Sequence, residues 1–357
     1  MRLGTFHKKK KYIINKVKIN ILSFLFSKKK RPNFKVDKIK KCLIVHDNSK
    51  LGDLIVLSSL YRELYNRNIE VYLLSNQSGH AFLEDNKHIS GFIIKKSSKL
   101  KDFLTLRSQL KEHHFDIVFD PFETFPSFFH SLLLVSIKAD FILGFDKWYR
   151  RYYNVYHPHD ENLKEHMSAR AKIIYDFTLG GAHTDFEARY DLPYSAEIEN
   201  EVKEFIGDSA VLIINPFGAK KICRLTEAQI TTIFGWIKTR YPELRIVFTG
   251  HPDDLQGLKV SGAERFPFRD FNYTVALTRL CRYVISVDTA LVHIASGYDK
   301  PLLAFYPKSR QEEYLSHEIW APNNPNALQV VSPTYNAGDI PIADVERALE
   351  AFFSREK

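Results

Sequence analysis

The feature that most constrains the fold is an alternation of short β-rich apolar runs with longer helical stretches, played through twice. Residues 42–46, 70–74, 92–94, 116–119 and 141–144 form the first series of strand-like runs. Residues 211–214, 245–249, 283–287 and 302–305 form the second. Between the first two runs Leu54, Leu57, Leu60, Tyr61 and Leu64 fall on one helical face over 54–65, and 227–240 and 273–281 have helical character later on. Strand, crossover helix, strand is the signature of a parallel sheet covered on both faces. A length of 357 residues suits two such domains at roughly 150 residues each. A polar helix around 166–179, Gly180-Gly181 and a loop to Pro193 lie between the two series. The expected organisation is a leader over 1–40, an α/β domain over 41–185 and a second over 186–357. Ligands in such sheets bind beyond the carboxyl ends of the strands, so two facing sheets are expected to share a central cleft.

Charge separates the leader from the body. Of 51 Lys and Arg against 42 Asp and Glu, residues 1–41 hold 15 basic side chains and the single acid Asp37, leaving 36 against 41 in the remainder. The body is therefore mildly acidic, which argues against a nucleic-acid partner, since that function calls for a basic surface on the folded domain. In the leader Ile14, Val17, Ile21 and Phe24 recur at helical spacing between the clusters Lys8–Lys11 and Lys28–Arg31. Its longest apolar run, 21–26, is far shorter than the ~20 residues of a spanning helix, and no cleavage-site pattern follows it. Two readings remain: an amphipathic helix lying on an anionic membrane surface through residues 1–31, or a solvated lysine tail. Three cysteines without a CxxC pair, Cys42, Cys223 and Cys281, exclude a disulfide framework or zinc cluster.

Three strand-to-helix turns could carry chemistry. The first is 48–53, where Gly52 lets the backbone approach a ligand and Asp53 could accept a proton from an attacking hydroxyl; an N-cap aspartate is the plainer alternative. The second, 215–224, joins Asn215 and a glycine turn to Lys220, Lys221 and Arg224, cations suited to a diphosphate leaving group, or to a solvated basic loop. The third, 286–293, offers a helix start with Asp288, Thr289, Ala290 and Leu291, whose N–H groups and hydroxyl suit phosphate. His293 lies four residues after Thr289 on the same face. Here too a capped helix with a core histidine is the alternative. Asp-x-Asp, HExxH and Gly-x-Ser-x-Gly are absent, and no metal site is expected.

Taken in order, these turns resemble glycosyltransferase family 9, the ADP-heptose:lipopolysaccharide heptosyltransferases. The resemblance rests on Cys42-Leu-Ile-Val-His-Asp-Asn-Ser-Lys-Leu-Gly-Asp53, on Asp288-Thr-Ala-Leu-Val-His293 with Lys300-Pro301, on Leu143-Gly-Phe145 with Tyr149–Tyr153, and on His166; it spans about 41–335. It implies a GT-B fold of two Rossmann-like domains and inverting, metal-independent transfer of heptose from ADP-heptose, without a cofactor. The implied acceptor is an acidic glycolipid of the lipopolysaccharide inner core, Kdo-lipid A or a core sugar. By position Asp53 would be the general base. Asn215, Lys220, Lys221, Arg224, Asp288, Thr289, Ala290, Leu291 and His293 would hold the donor. Gly52 is placed on the acceptor side, and Lys147, Arg150, Arg151 and Arg170 are cations suited to the acceptor's carboxylates or phosphates, or to a solvated basic patch as the plainer alternative. The implied location is the cytoplasmic face of the inner membrane. The chain departs from the pattern at Ala290, where the family has Gly, and at Leu225-Thr226, where it has Trp-Pro. A same-fold transferase with another nucleotide sugar for capsule or other surface glycan, or a non-catalytic membrane-docked glycan-binding relative, are the alternatives.

Overall fold

The structure, a computed structural model, describes residues 3–26, 28, 39–48, 50–122, 127–145, 150–157, 165–310 and 315–355, with the backbone alone at 3–11, 150 and 157. Lys147 and Arg31 lie outside the described residues, as do the side chains of Lys8–Lys11 and Arg150. The chain forms two compact units, Met1–Asn162 with Arg170–Ala188, and Leu163–Ala169 with Arg189–Lys357.

The first unit begins with helix α1 (Leu3–Leu25). Strands β1 (Lys41–Val45), β2 (Glu70–Asn76), β3 (Gly91–Lys95), β4 (Phe115–Asp120), β5 (Ala139–Phe145) and β6 (Val155–His157) follow, with helices α2 (Leu51–Val56), α3 (Ser58–Asn66), α4 (Gln77–Leu83), α5 (Leu100–Lys111), α6 (Phe128–Ser136) and α7 (Ala169–Leu179). All strand pairs are parallel, in the order β3-β2-β1-β4-β5-β6. The expected helix over 54–65 is interrupted at Leu57, which ends α2 and precedes α3. There the Ser58 hydroxyl donates to the Ile55 carbonyl at 2.7 Å, the local side-chain competition that bends serine-containing helices.

The second unit contains α8 (Ala196–Ile206), β7 (Val211–Asn215), α9 (Glu227–Arg240), β8 (Arg245–Phe248), α10 (Pro252–Gln256), β9 (Glu264–Arg265), α11 (Phe271–Leu280) and β10 (Tyr283–Val287). It continues through α12 (Ala290–Gly297), β11 (Leu302–Tyr306), α13 (Ser316–Ile319), β12 (Ala327–Val331) and α14 (Ile342–Ser354). Its strand order, β12-β11-β10-β7-β8-β9, is again parallel throughout. Every residue of β10 and β11 is buried, as continuous apolar runs demand when helices cover both faces. Both units are thus doubly wound α/β sheets of Rossmann type. The strand order reverses between β1 and β4 in one unit and between β7 and β10 in the other, the positions where such sheets open a ligand crevice.

Helix α1 is docked onto the first unit. Ile19 is fully buried among Leu133, Leu134, Ile137 and Tyr152. The Tyr152 hydroxyl donates to the Ile19 carbonyl at 3.0 Å, and the Lys28 N–H donates to the Arg151 carbonyl at 2.8 Å. The opposite face is apolar and open: Ile13, Ile14, Val17, Ile21, Phe24 and Leu25 are all exposed, Phe24 by 75% and Ile21 by 58%. Among the described residues no helix is long and apolar enough to cross a membrane.

Candidate functional site

At the carboxyl edge of the first sheet, β1 runs into the turn that carries Asp53. The N-cap of α2 is Lys50, without a side-chain cap bond, so Asp53 is the third residue of the helix and not its cap. Its side chain is buried, 4% exposed, and its Oδ2 accepts from Asn48 Nδ2 at 3.1 Å. Asn48 is itself fixed, since its Oδ1 accepts from the Lys50 N–H at 2.8 Å. The plain capping account of Asp53 therefore fails, and a buried carboxylate at the switch point remains.

Beside it lies a buried ionisable cluster. Asp47 follows β1, Lys95 ends β3, Asp120 ends β4, and His130 stands in the first turn of α6 behind its Ser127 cap. His130 Nε2 is 2.8 Å from Asp120 Oδ2, and Nδ1 is 3.2 Å from Asp47 Oδ2, an ion-pair separation without hydrogen-bond alignment. Tyr153 donates to Asp120 Oδ2 at 2.6 Å, and Lys95 Nζ lies 3.3 Å from Asp47 Oδ2. Burial by itself would lower the His130 pKa, but the Asp120 and Asp47 carboxylates outweigh it and raise it to about 9. Burial likewise opposes ionisation of Asp47, yet the His130 and Lys95 cations hold its carboxyl well below the usual range. For His46, edge-on to Phe122, burial outweighs the pull of the Asp47 carboxylate and pushes the pKa down to about 4.

Of the proposed acceptor-side cations, Arg151 is exposed. Arg170 is 4% exposed, donates to the Pro121 carbonyl and lies over the Phe145 ring, so it is an internal tie of the first unit and not a surface cation.

In the second unit the two expected donor turns meet. Asn215 ends β7; its Oδ1 accepts from the Phe217 N–H at 3.2 Å and its Nδ2 lies 3.4 Å from Thr289 Oγ1. Thr289 is the N-cap of α12, accepting from the Leu291 N–H at 3.3 Å and sharing a hydrogen bond with Ser286 at 3.1 Å. The Cys223 thiol lies 3.7 Å from Asp288 Oδ2, and burial, then this carboxylate, push its pKa up to about 12. Gly218 is required where it stands: its N–H donates to the Cys223 carbonyl at 2.9 Å, and a Cβ there would sit 2.5 Å from the Cys223 Cβ and oxygen.

The three cations of this loop differ in availability. Arg224 forms a two-point pair with Asp254 at 2.7 and 3.0 Å and donates through Nε to the Gly218 carbonyl at 2.8 Å. Lys220 and Lys221 are exposed and form no ion pair among the described residues. The Leu225-Thr226 step has a structural use of its own, with Leu225 buried and Thr226 forming a capping box with Gln229 at the start of α9. His293 is a buried core imidazole set against the edges of His166 and Trp320, and burial lowers its pKa to about 3. His166 accepts at Nδ1 from the Ser168 N–H, which leaves the proton on Nε2 to donate to the Ala321 carbonyl at 3.0 Å. Among the described residues no three His, Cys, Asp or Glu side chains are arranged to hold a metal ion.

Comparison with known proteins decides the family. The profile of glycosyltransferase family 9 (heptosyltransferase) matches residues 241–347. A curated relative from Escherichia coli (strain K12), provisionally named lipopolysaccharide heptosyltransferase 4, is 56% identical over 342 residues, 95% of each chain. The chain belongs to glycosyltransferase family 9. This family 9 glycosyltransferase shares its fold with the crystal structure of a glycosyl transferase family 9 protein from Veillonella parvula, at TM-score 0.69 and 16% identity over 88% of this chain and 98% of that one. It is similarly related to ADP-heptose lps heptosyltransferase II of E. coli, at TM-score 0.65 and 17% identity over 88% and 99%. The GT-B expectation is met by two parallel six-stranded sheets.

Sequence reasoning missed the His130 cluster. Its signal was an aspartate at or just beyond the carboxyl end of each of the two strands flanking the switch point.

Proposed function

We propose that this glycosyltransferase transfers heptose from ADP-heptose to a lipopolysaccharide inner-core acceptor, with inversion and without a metal ion. The observation that carries the reading is Asp53, a buried carboxylate held by Asn48 at the switch point of the first sheet. In this reading Asp53 takes the proton of the acceptor hydroxyl as its oxygen bonds to the anomeric carbon. The bond from that carbon to the diphosphate breaks, and ADP departs with the electron pair. The donor diphosphate is assigned to the turns at Asn215 and Asp288–Leu291. The N–H groups at the start of α12 and the exposed Lys220 and Lys221 supply the electrostatic stabilisation such a leaving group needs. Arg224 is recast as a support: its pairing with Asp254 orders the loop that presents the two lysines. His293 is assigned to packing beneath that turn, with its neutral ring held by burial.

The named relative, a lipopolysaccharide heptosyltransferase, supports the acceptor class, and the name of the fold relative from E. coli supports the donor. The exposed apolar face of α1, with the basic clusters of the leader on either side, supports a seat on the anionic cytoplasmic face of the inner membrane. Asp53→Asn keeps the shape and removes the base. With ADP-heptose and Kdo-lipid A, it is expected to lose about 10²–10⁴-fold in kcat, the usual worth of a positioned base, with ADP affinity unchanged by calorimetry. Ordinary turnover by Asp53→Asn would end the assignment.

A further inference from the structure

The cluster around His130 has no part in the chemistry above, yet it abuts the turn that does. We propose that His130 is a positioning residue for Asp53, acting through Asp47 and the turn between β1 and α2. The inference rests on the reading of Asp53 as the base.

The path is short, and each step has a distance apart from the chain link between Asp47 and Asn48. His130, fully buried, reaches Asp120 at the end of β4 through Nε2 and Asp47 just beyond β1 through Nδ1, at 2.8 and 3.2 Å. It thereby bridges the two strands that flank the switch point. Asp47 is adjacent in the chain to Asn48, whose side chain closes the turn on Lys50 and donates to Asp53. Lys95 grips Asp47 from β3 through both its carboxylate and its carbonyl, the latter at 2.7 Å. Tyr153 also donates to Asp120. Asp47 and Asp120 thus face His130, Lys95 and Tyr153, with His46 edge-on to Phe122 nearby. Two carboxylates in so dry a place require matched cations, because an unpaired buried charge is strongly unfavourable. Removing the imidazole leaves Asp47 to turn toward Lys95 or water, which draws Asn48 away from Asp53. A reacting group displaced by about 1 Å loses about 10²-fold in rate.

The test uses the full-length protein. The variants are His130→Ala, His130→Gln, Asp47→Asn and, as reference, Asp53→Asn, with thermal unfolding recorded for each. His130→Ala and Asp47→Asn are expected to lower kcat about tenfold or more while the KM for ADP-heptose stays within about twofold. His130→Gln, which keeps a donor toward Asp120, is expected to recover part of that loss. A crystal structure of the His130→Gln protein is expected to show the Asn48–Asp53 contact lengthened, in keeping with a partial loss; it reads the proposal without any donor and stands in if His130→Ala does not fold. If that contact persists at 3.1 Å, or if kcat holds while only the melting temperature falls, His130 is a fold clip and the proposal is overturned. An active Asp53→Asn protein would instead overturn the reading of the base. An inactive one alongside undiminished His130→Ala and Asp47→Asn proteins would overturn the positioning role alone.

Discussion

Replacing Ile21 and Phe24 with serine tests the membrane face of α1 most directly. These side chains are 58% and 75% exposed, on the side of the helix away from buried Ile19. Full burial of an isoleucine or phenylalanine side chain is worth about 1.5–3 kcal/mol. Scaled by their exposed fractions, the pair contributes about 3 kcal/mol when it enters an acyl boundary. That corresponds to ~10²-fold in partition coefficient. The assay is co-sedimentation with vesicles containing phosphatidylglycerol, at two salt concentrations, alongside circular dichroism to confirm the fold. The leader lysines add about 1 kcal/mol each near an anionic surface, so binding of both proteins is expected to weaken with salt while the gap between them persists. Ile19→Ser acts on the opposite face and is expected to loosen α1 from α6 instead, lowering thermal stability. A partition coefficient for the double variant within about threefold of the parent would refute the apolar contribution, since its expected effect is ~10²-fold.

Other outcomes follow from the two sheet edges. Replacing Lys220 and Lys221 together with glutamine is expected to reduce kcat/KM for ADP-heptose by about 10²–10³-fold, the scale of losing one electrostatic donor. Because Arg224 is already paired with Asp254, Asp254→Asn is expected to reduce stability and disorder the loop without restoring activity to the lysine variant. The His130 pKa is raised from 6.5 to about 9 in the folded protein. Its contribution to stability is therefore fully present below about pH 6.5 and is lost as pH rises through about 9, with an upper limit of about 3 kcal/mol. Urea unfolding between pH 6 and 10 is expected to show this decline, and the His130→Gln protein to lack it.

Most strands that were legible in the sequence are central and well buried, although the edge strand β3, with one buried residue of five, was legible too. Runs such as 283–287 and 302–305 are apolar apart from the buried Ser286, because helices cover both sides of the sheet. The strands that went unseen, β6, β9 and β12, stand at sheet edges; β9 has two residues and β12 is only partly buried. Asp53 and the turn at Thr289 could be found because a glycine or a capping residue marks the passage from strand to helix. The His130 cluster could not, since its members come from the turn after β1, from β3, β4 and α6 and from the segment before β6, and only the sheet order brings them together. The departures at Leu225 and Thr226 acquire meaning only from packing, where one fills the core and the other caps α9.

The excursion of residues 163–169 into the second unit has a practical corollary. A fragment starting at residue 186 would lack His166, whose ring abuts His293 and whose Nε2 is tied to the Ala321 carbonyl. During synthesis this stretch emerges more than a hundred residues ahead of those partners, so it must wait unpaired until the later strands are made. If the second lobe is to be studied on its own, residues 163–169 have to be joined to 189–357 by a permutation or linker, since a simple cut before 163 would also carry Arg170–Ala188 of the first unit.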